Sequence, residues 1–319
     1  MAKLRVAVLR GGRSLERDVS LKSGHRVGQA LEDLGHEVMP LDVDEALVSN
    51  LLKARPDVVY IALHGKYGED GTIQELLEIL DIPYTGPDAY ANMIAFDKVL
   101  AKENFIREGI PTPKHYALGS VSFKEMGASA ALAKVVEKLG MPLVVKPARQ
   151  GSALGIKIAK TAEELPRALI GALSYDSKVV IEQHIKGREV AVSIIGNEPV
   201  RPLPVVEIVT NKEFFDFEAM YTMGQAEYFV PARLSPKRTK QVQETALAAH
   251  RAVGGRDVSR VDIIVDEKGI PQVLEVNSSP GMTETSLLPM AARQAGMEFV
   301  ELVGTLLESA MSRKGGVKR

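Results

Sequence analysis

Two runs of branched aliphatic residues, Val261-Asp-Ile-Ile-Val265 and Pro271-Gln-Val-Leu-Glu-Val276, flank the turn Asp266-Glu-Lys-Gly269. Short Val, Ile and Leu runs around such a turn predict a two-stranded antiparallel hairpin. Pairing Val265 with Ile270 sets Val261 opposite Leu274, so that Val261, Ile263, Leu274 and Val276 share an apolar face, whereas a slip of one residue mixes apolar and charged groups on both faces. In this register Asp262 faces Val273 and Arg260 faces Glu275. Alternation along a strand then projects Asp262, Glu275 and Asn277 to one side, beside Arg260. The converging oxygens are hard ligands, better suited to Mg²⁺ between protein and phosphate than to Zn²⁺. An exposed polar face with an Arg–Glu cross-strand pair, contributing ~0.2–1 kcal/mol, accounts for the same pattern.

Composition narrows what such a hairpin can serve. The chain has 319 residues, room for two or three domains of roughly 100–200 residues each. Forty basic and 41 acidic residues leave a net charge of −1, which provides no global field for a nucleic acid or an anionic membrane. Without cysteine, disulfides, thiolate nucleophiles and Cys-ligated metals are excluded. The opening run MAKLRVAVLRGG is interrupted by Arg5 and Arg10 and reads as a first strand and not as a signal peptide. No stretch approaches the ~20 apolar residues of a membrane span, so a cytoplasmic protein is expected.

Strand and helix patterns alternate over residues 1–96, the rhythm of an open parallel sheet whose ligands sit beyond the carboxyl ends of its strands. Gly11–Asp18 and His64–Gly71 fall at such ends. The Gly11-Gly12 pair lacks the G-x-G-x-x-G spacing of a nicotinamide site. From Asp97 onward helices and strands follow an α+β order, with antiparallel pairing expected. Residues 209–231 are read as an irregular, aromatic-rich connection, and connections of that length are more often functional than structural. They are the candidate lid.

A second chemical signal precedes the hairpin. Lys146 ends a predicted strand and Gln150-Gly-Ser-Ala-Leu-Gly155 follows it, a loop whose amides can approach phosphate closely. It is not a Walker A loop, and a plain turn would look the same. Specificity comes from order: Lys98, Lys146 with Gly151–Gly155, the strand Val179–Glu182, Glu189, then Arg260, Asp262, Glu275 and Asn277.

This set resembles the ATP-grasp superfamily and, within it, the D-alanine–D-alanine ligase family over nearly the whole chain. The likeness is carried by GGRSLERDVSLKSG (11–24), ALHGKYGEDGTIQ (62–74), PYTGPDAYANMIAFDK (83–98), VVKPARQGSALG (144–155), IEQHIKGREVAV (181–192), FFDFEAMY (214–221), RVDIIVD (260–266) and LEVNSSPGMTETSLLPMAARQAGM (274–297). It implies an N-terminal open parallel sheet at 1–96, of the kind that precedes an ATP-grasp fold, then two α+β subdomains at 97–186 and 187–319.

The resemblance also implies roles. Lys98 and Lys146, with Gly151 and Ser152 of the loop, would hold ATP phosphates. Glu182 and Ile185 would read the adenine edge, Glu189 the ribose, and Phe214, Ile264 and Leu274 would sandwich the base. Asp262, Glu275 and Asn277 match ligands of two Mg²⁺ ions, with Mn²⁺ as a substitute. Glu16, supported by Ser152 and Tyr221, would orient the first D-alanine. Arg260 and the Gly281 amide would stabilise an oxyanion, Ser286 and Leu287 would receive the second D-alanine, and His64 would lie against the substrates. The implied reaction forms D-alanyl-D-alanine for peptidoglycan through an acyl phosphate, in a cytoplasmic homodimer concerned with cell-wall biogenesis and cell shape. Tyr221 points to an amine as second substrate, since ester-forming relatives usually differ there. Two departures stand out: the family's usual E-G-S-S-V-G is Gln150-Gly-Ser-Ala-Leu-Gly155 here, and Met220 stands where a phosphate-directed lysine is usual. They keep open a ligase with another second D-amino acid and a nucleotide-binding protein without ligase activity.

Overall fold

In a computed structural model, residues 2–197, 199–210 and 226–313 are described. Continuous apolar runs make the first layer: β1 (Arg5–Arg10), β2 (Glu37–Asp42) and β3 (Val58–Ile61) form a parallel sheet in the order β2-β1-β3. Helices α1 (Arg17–Asp33), α2 (Leu47–Ala54) and α3 (Thr72–Ile79) connect or follow these strands. Both faces are covered, as parallel strands require. Ala7, Leu9, Val59 and Ile61 pack with Leu47, Leu51, Ile73 and Leu77 on one side. Val6, Val8, Val58 and Tyr60 pack on the other with α1 and with residues near the C-terminus. The Gly11-Gly12 pair has a local explanation: both glycines have positive φ, Gly12 N–H donates to Asp42 Oδ1 at 2.9 Å, and a Cβ on Gly11 would lie 2.5 Å from that oxygen.

Helices α4 (Ala89–Phe96) and α5 (Lys98–Arg107) lead into a four-stranded antiparallel sheet. Its strands are β4 (His115–Gly119), β5 (Leu143–Pro147), β6 (Lys157–Ala159) and β7 (Lys178–Gln183), in the order β4-β7-β5-β6. Helices α6 (Ser120–Lys124), α7 (Leu132–Leu139) and α8 (Leu165–Leu173) belong to the same segment. A third sheet takes β8 (Gly187–Ile195), β9 (Arg201–Pro202), β10 (Val206–Thr210), β11 (Ala226–Phe229), β12 (Val258–Asp266) and β13 (Pro271–Asn277), with the main path β11-β10-β8-β12-β13. Helix α9 (Pro236–Ala252) and α5 cover one face of it, burying Phe105, Val242, Ala246, Val261, Ile263, Val273 and Val276 together. The last helices, α10 (Leu287–Gln294) and α11 (Phe299–Ser312), return to α1 and the parallel sheet.

The structure corrects two expectations. The ends of the 209–231 connection are not irregular, because β10 and β11 pair antiparallel, Val209 with Glu227 and Thr210 with Ala226. The candidate lid between them, including Phe214, Met220 and Tyr221, lies outside the described residues. The hairpin register also differs: Arg260 pairs with Asn277, Val261 with Val276 and Asp262 with Glu275, after which the ladder shifts and Ile263 pairs with Val273. Leu274 is therefore an extra residue on β13, a β-bulge. Strict alternation does not run through the strand, and Leu274 leaves the apolar face on which Val261 and Val276 remain.

Helix α5 carries the first lysine of the expected phosphate site, and Asp97 fixes its start by accepting the Val99 and Leu100 amides at 3.0 and 3.3 Å. Its buried anchor is Phe105. Phe105→Ala is expected to cost about 3–5 kcal/mol of stability, the usual range for removing a core aromatic. Urea unfolding checks this as a lower midpoint at unchanged slope.

Candidate active site

The bulge brings the polar face of the hairpin to a cavity of about 430 Å³, within the size range of small-molecule sites. From the hairpin come Arg260, Asp262, Ile264, Leu274 and Glu275; from α5, β5 and the following loop come Lys98, Lys146, Gln150, Ala153 and Leu154. Strand β7 contributes Glu182, β8 Glu189, and the connection between them Ile185. Ile264 and Leu274 form an apolar wall and the lysines a cationic end, which suits a flat base with an anionic tail.

Electrostatics in this cavity are tightly balanced. Lys98 Nζ donates to Gln150 O at 2.7 Å and lies 3.2 Å from Glu275 Oε2. Burial disfavours a charged Glu275, but Lys98, Lys146 and Arg260 outweigh it and hold its carboxyl below the ordinary range. Arg260 grips Asp262 with two bonds of 2.8 Å. Burial nevertheless pushes Asp262 up. Glu182 is buried between Lys146 and Lys102, the latter 2.8 Å away. Burial works against its charge, yet the two lysines hold it down at about 2. Glu189 is pushed up to about 7, first by burial and then by Asp262.

A smaller pocket adjoins this cavity and shares Arg260, Glu275 and Leu287 with it. It adds Glu16, His64, Glu69, Ser152, Tyr228, Asn277, Gly281, Thr285 and Ser286. Glu16, just before α1, bonds the Ser152 hydroxyl. Its carboxylate is seated between two glycines: a Cβ on Gly65 would come 2.3 Å from Oε2 and one on Gly151 2.8 Å. Glycine is needed at 151 because the loop backbone passes against this carboxylate. Burial, then the charge of Glu69, pushes Glu16 up to about 7. Gly281 is likewise a close approach, since a Cβ there would lie 2.6 Å from Ser286 Oγ. Ser286 immediately precedes α10, and its hydroxyl accepts the Thr283 amide at 3.0 Å.

His64 lines this pocket with both ring nitrogens engaged: Nδ1 donates to Ser279 O at 3.0 Å, and Nε2 lies 2.8 Å from Ser23 Oγ. Burial pushes its pKa down. The neutral ring braces α1 against the loop that carries Gly281. Asn277 Oδ1 accepts the Ser279 amide at 3.1 Å.

The structure thus gathers every sequence-predicted site residue among the described ones except Gly151, which stands one step back against Glu16, around two adjoining pockets. Phe214 and Tyr221 lie outside the described residues. Two charged residues were missed. Glu69, buried and pushed up to about 8 by burial, sits in a polar loop with nothing in its pattern to announce burial. Lys102 was legible in principle, because it follows Lys98 by four residues on one helix and so shares its face.

An antiparallel glycine-loop sheet and a second sheet carrying paired carboxylates, with a nucleotide-sized cavity between them, define an ATP-grasp enzyme of the ATP-dependent ligase class. Comparisons identify the family. The "D-ala D-ala ligase C-terminus" model matches residues 105–308 and the "D-ala D-ala ligase N-terminus" model residues 47–87. The D-alanine–D-alanine ligase of Pelotomaculum thermopropionicum is 43% identical over 312 residues, covering 98% of both chains. That of Aquifex aeolicus is 43% identical over 304 residues, covering 95% of this chain and 100% of its own. The solved D-alanine–D-alanine ligase of Bacillus anthracis complexed with ATP superposes with a TM-score of 0.82 at 34% identity, covering 98% of each chain. The chain belongs to the D-alanine–D-alanine ligase family.

The raised Glu69 carboxyl has a measurable consequence. A folded-state pKa above the ordinary 4.5 means that the native state binds more protons than the unfolded chain, so stability falls as pH rises from about 4.5 to about 8 and levels off above. Glu69→Gln removes that penalty. Its stabilisation relative to the parent, on the order of a few kcal/mol, should be present at pH 8 and largely absent at pH 4.5, as thermal unfolding at the two pH values would register.

Proposed function

We propose that this chain couples ATP to the joining of two D-alanines into D-alanyl-D-alanine, a precursor of peptidoglycan, in the bacterial cytoplasm and as a homodimer. No described helix is long and apolar enough to cross a membrane. The observation that carries the reading is the junction of the two pockets: Arg260, Glu275 and Leu287 line both, so a phosphate tail in one would end beside a carboxylate substrate in the other. ATP occupies the larger cavity, with Ile264 and Leu274 against the base, Glu182 and Ile185 at its edge, Glu189 at the ribose, and Lys98, Lys146 and the Gly151–Ser152 amides at the phosphates.

The hairpin fits a divalent cation by its chemistry. Asp262 and Glu275 are cross-strand neighbours, Asn277 adds an amide oxygen nearby, and Arg260 and Lys98 are the cations now placed against the two carboxylates. These hard donors suit Mg²⁺, or Mn²⁺, completed by phosphate oxygens. The ions would neutralise charge on the β- and γ-phosphates.

In the reaction the carboxylate of the first D-alanine, its ammonium held by Glu16 with Ser152, attacks the γ-phosphorus. ADP leaves and an acyl phosphate remains. The amine of the second D-alanine, seated by Ser286 and Leu287, then attacks the carbonyl carbon. Arg260 and the Gly281 amide stabilise the oxyanion, inorganic phosphate departs, and the amine loses its proton. His64 contributes by holding the Gly281 loop. An acyl phosphate is readily hydrolysed, so the reaction requires water to be excluded while it stands.

A second reading changes only the second substrate. The solved VanG D-Ala:D-Ser ligase of Enterococcus faecalis is 27% identical with a TM-score of 0.82, covering 97% of this chain and 99% of its own. Phosphate release with ATP, Mg²⁺ and a panel of D-amino acids distinguishes the two. Release should require D-alanine and be greatest with D-alanine alone; no D-alanine-dependent release rules out the main reading. Glu275→Gln should abolish Mg²⁺-dependent release while leaving the unfolding transition intact, and near-normal turnover in that variant would refute the cation assignment.

A further inference from the structure

Lys102 is the one fully buried lysine among the described residues. Its Nζ lies 2.8 Å from Glu182 Oε2 and donates to Thr112 Oγ1 at 2.8 Å. The Thr112 hydroxyl in turn donates to Val273 O at 2.7 Å, which ties the group to the hairpin. The other oxygen of Glu182 is held by Lys146. Lys146 and Glu182 line the nucleotide cavity, and Lys102 does not. One buried carboxylate therefore has two ammonium partners, one facing the ligand and one sealed behind it.

That asymmetry matters if Lys146 is to serve a phosphate. Were Lys146 its only partner, Glu182 would compete with the phosphate for that ammonium. Once Lys146 turned away, the carboxylate would be left charged and unpaired in a buried site, a costly state. A second cation that never faces the ligand removes the conflict.

We propose that Lys102 is a positioning residue: the permanent counter-ion that keeps Glu182 ionised and oriented while Lys146 engages the polyphosphate. It rests on the reading of this cavity as the ATP site. Glu182, held as a carboxylate with no proton to donate, then accepts a hydrogen bond from a 6-amino purine and opposes a 6-oxo purine, whose oxygen has nothing to donate. Lys102 thus acts on both phosphate affinity and base choice without touching the nucleotide.

The test is calorimetric binding of Mg-ATP and Mg-GTP to the full chain, without D-alanine, for the parent, Lys102→Met and Lys102→Met/Glu182→Gln. Lys102→Met should weaken Mg-ATP binding by about tenfold or more, the scale of one lost charge-assisted contact, and erode the preference for ATP over GTP. The double variant leaves no carboxylate to retain Lys146, and its neutral amide both donates and accepts. It should largely recover triphosphate affinity while the preference for ATP stays lost. Unchanged Mg-ATP affinity and preference in a folded Lys102→Met would overturn the proposal. So would a double variant that binds no better than the single one, or loss of cooperative unfolding in both, which would make the pair purely structural. A parent chain that binds Mg-ATP without D-alanine-dependent phosphate release would count against the ligase reading alone, and a parent that fails to bind Mg-ATP against the nucleotide site.

Discussion

One extra residue on one strand sets the geometry on which the site depends. With Leu274 bulged out of the ladder, Val273 and Val276 both stay in the core although they are three residues apart, and Leu274 and Glu275 both reach the cavity. A regular strand would turn one of those neighbours inward. The bulge lets β13 supply an apolar contact and a carboxylate at consecutive positions, the kind of local re-aiming for which bulges recur beside active sites. It also places Asp262 directly across from Glu275, so that two carboxylates of one hairpin share one face.

Such a concentration of acid is stable only with compensating charge. Arg260 binds Asp262, Lys98 approaches Glu275, and Lys146 and Lys102 share Glu182, the cations coming from β12, α5 and β5. At Glu16 and Glu69 burial outweighs the nearby cations, and the carboxyls are pushed toward neutrality. The same low-dielectric setting that makes these groups costly to ionise strengthens their interaction with an incoming ammonium or metal ion. Protein folding and ligand recognition therefore draw on the same charges.

Much of this was legible in the sequence, and its limits have identifiable physical causes. The parallel sheet could be read because strands covered on both faces are continuously apolar, as in Val58–Ile61. The two sides of the hairpin were legible for Asp262, Glu275 and Asn277, but not the register, since a bulge breaks the period of two on which the argument relied. The spacing of Val273 and Val276 was the available signal. The ends of the 209–231 connection become strands by pairing with each other, a contact between residues well separated in the chain that local pattern does not encode. Glu69 was missed because its burial is made by packing around a polar loop and not by its neighbours in sequence.

The departures in the glycine loop acquire a different weight once it is seen in place. Lys98 binds the main-chain oxygen of residue 150, a contact that any side chain at that position leaves available, so glutamine preserves it. The residue next to it, Gly151, passes directly against the Glu16 carboxylate, and Glu16 and nearby Glu69 are already pushed well above the ordinary range. Gln150 itself lines the larger cavity beside Lys98 and Lys146. Ser152 and Ala153 both hold positive φ, which is unfavourable for residues with a Cβ. The Ser152 bond to Glu16 offsets this at one of them. The contacts that tie the loop to Lys98 and to Glu16 thus come from its backbone and from Ser152, and the changes at positions 150, 153 and 154 leave them in place.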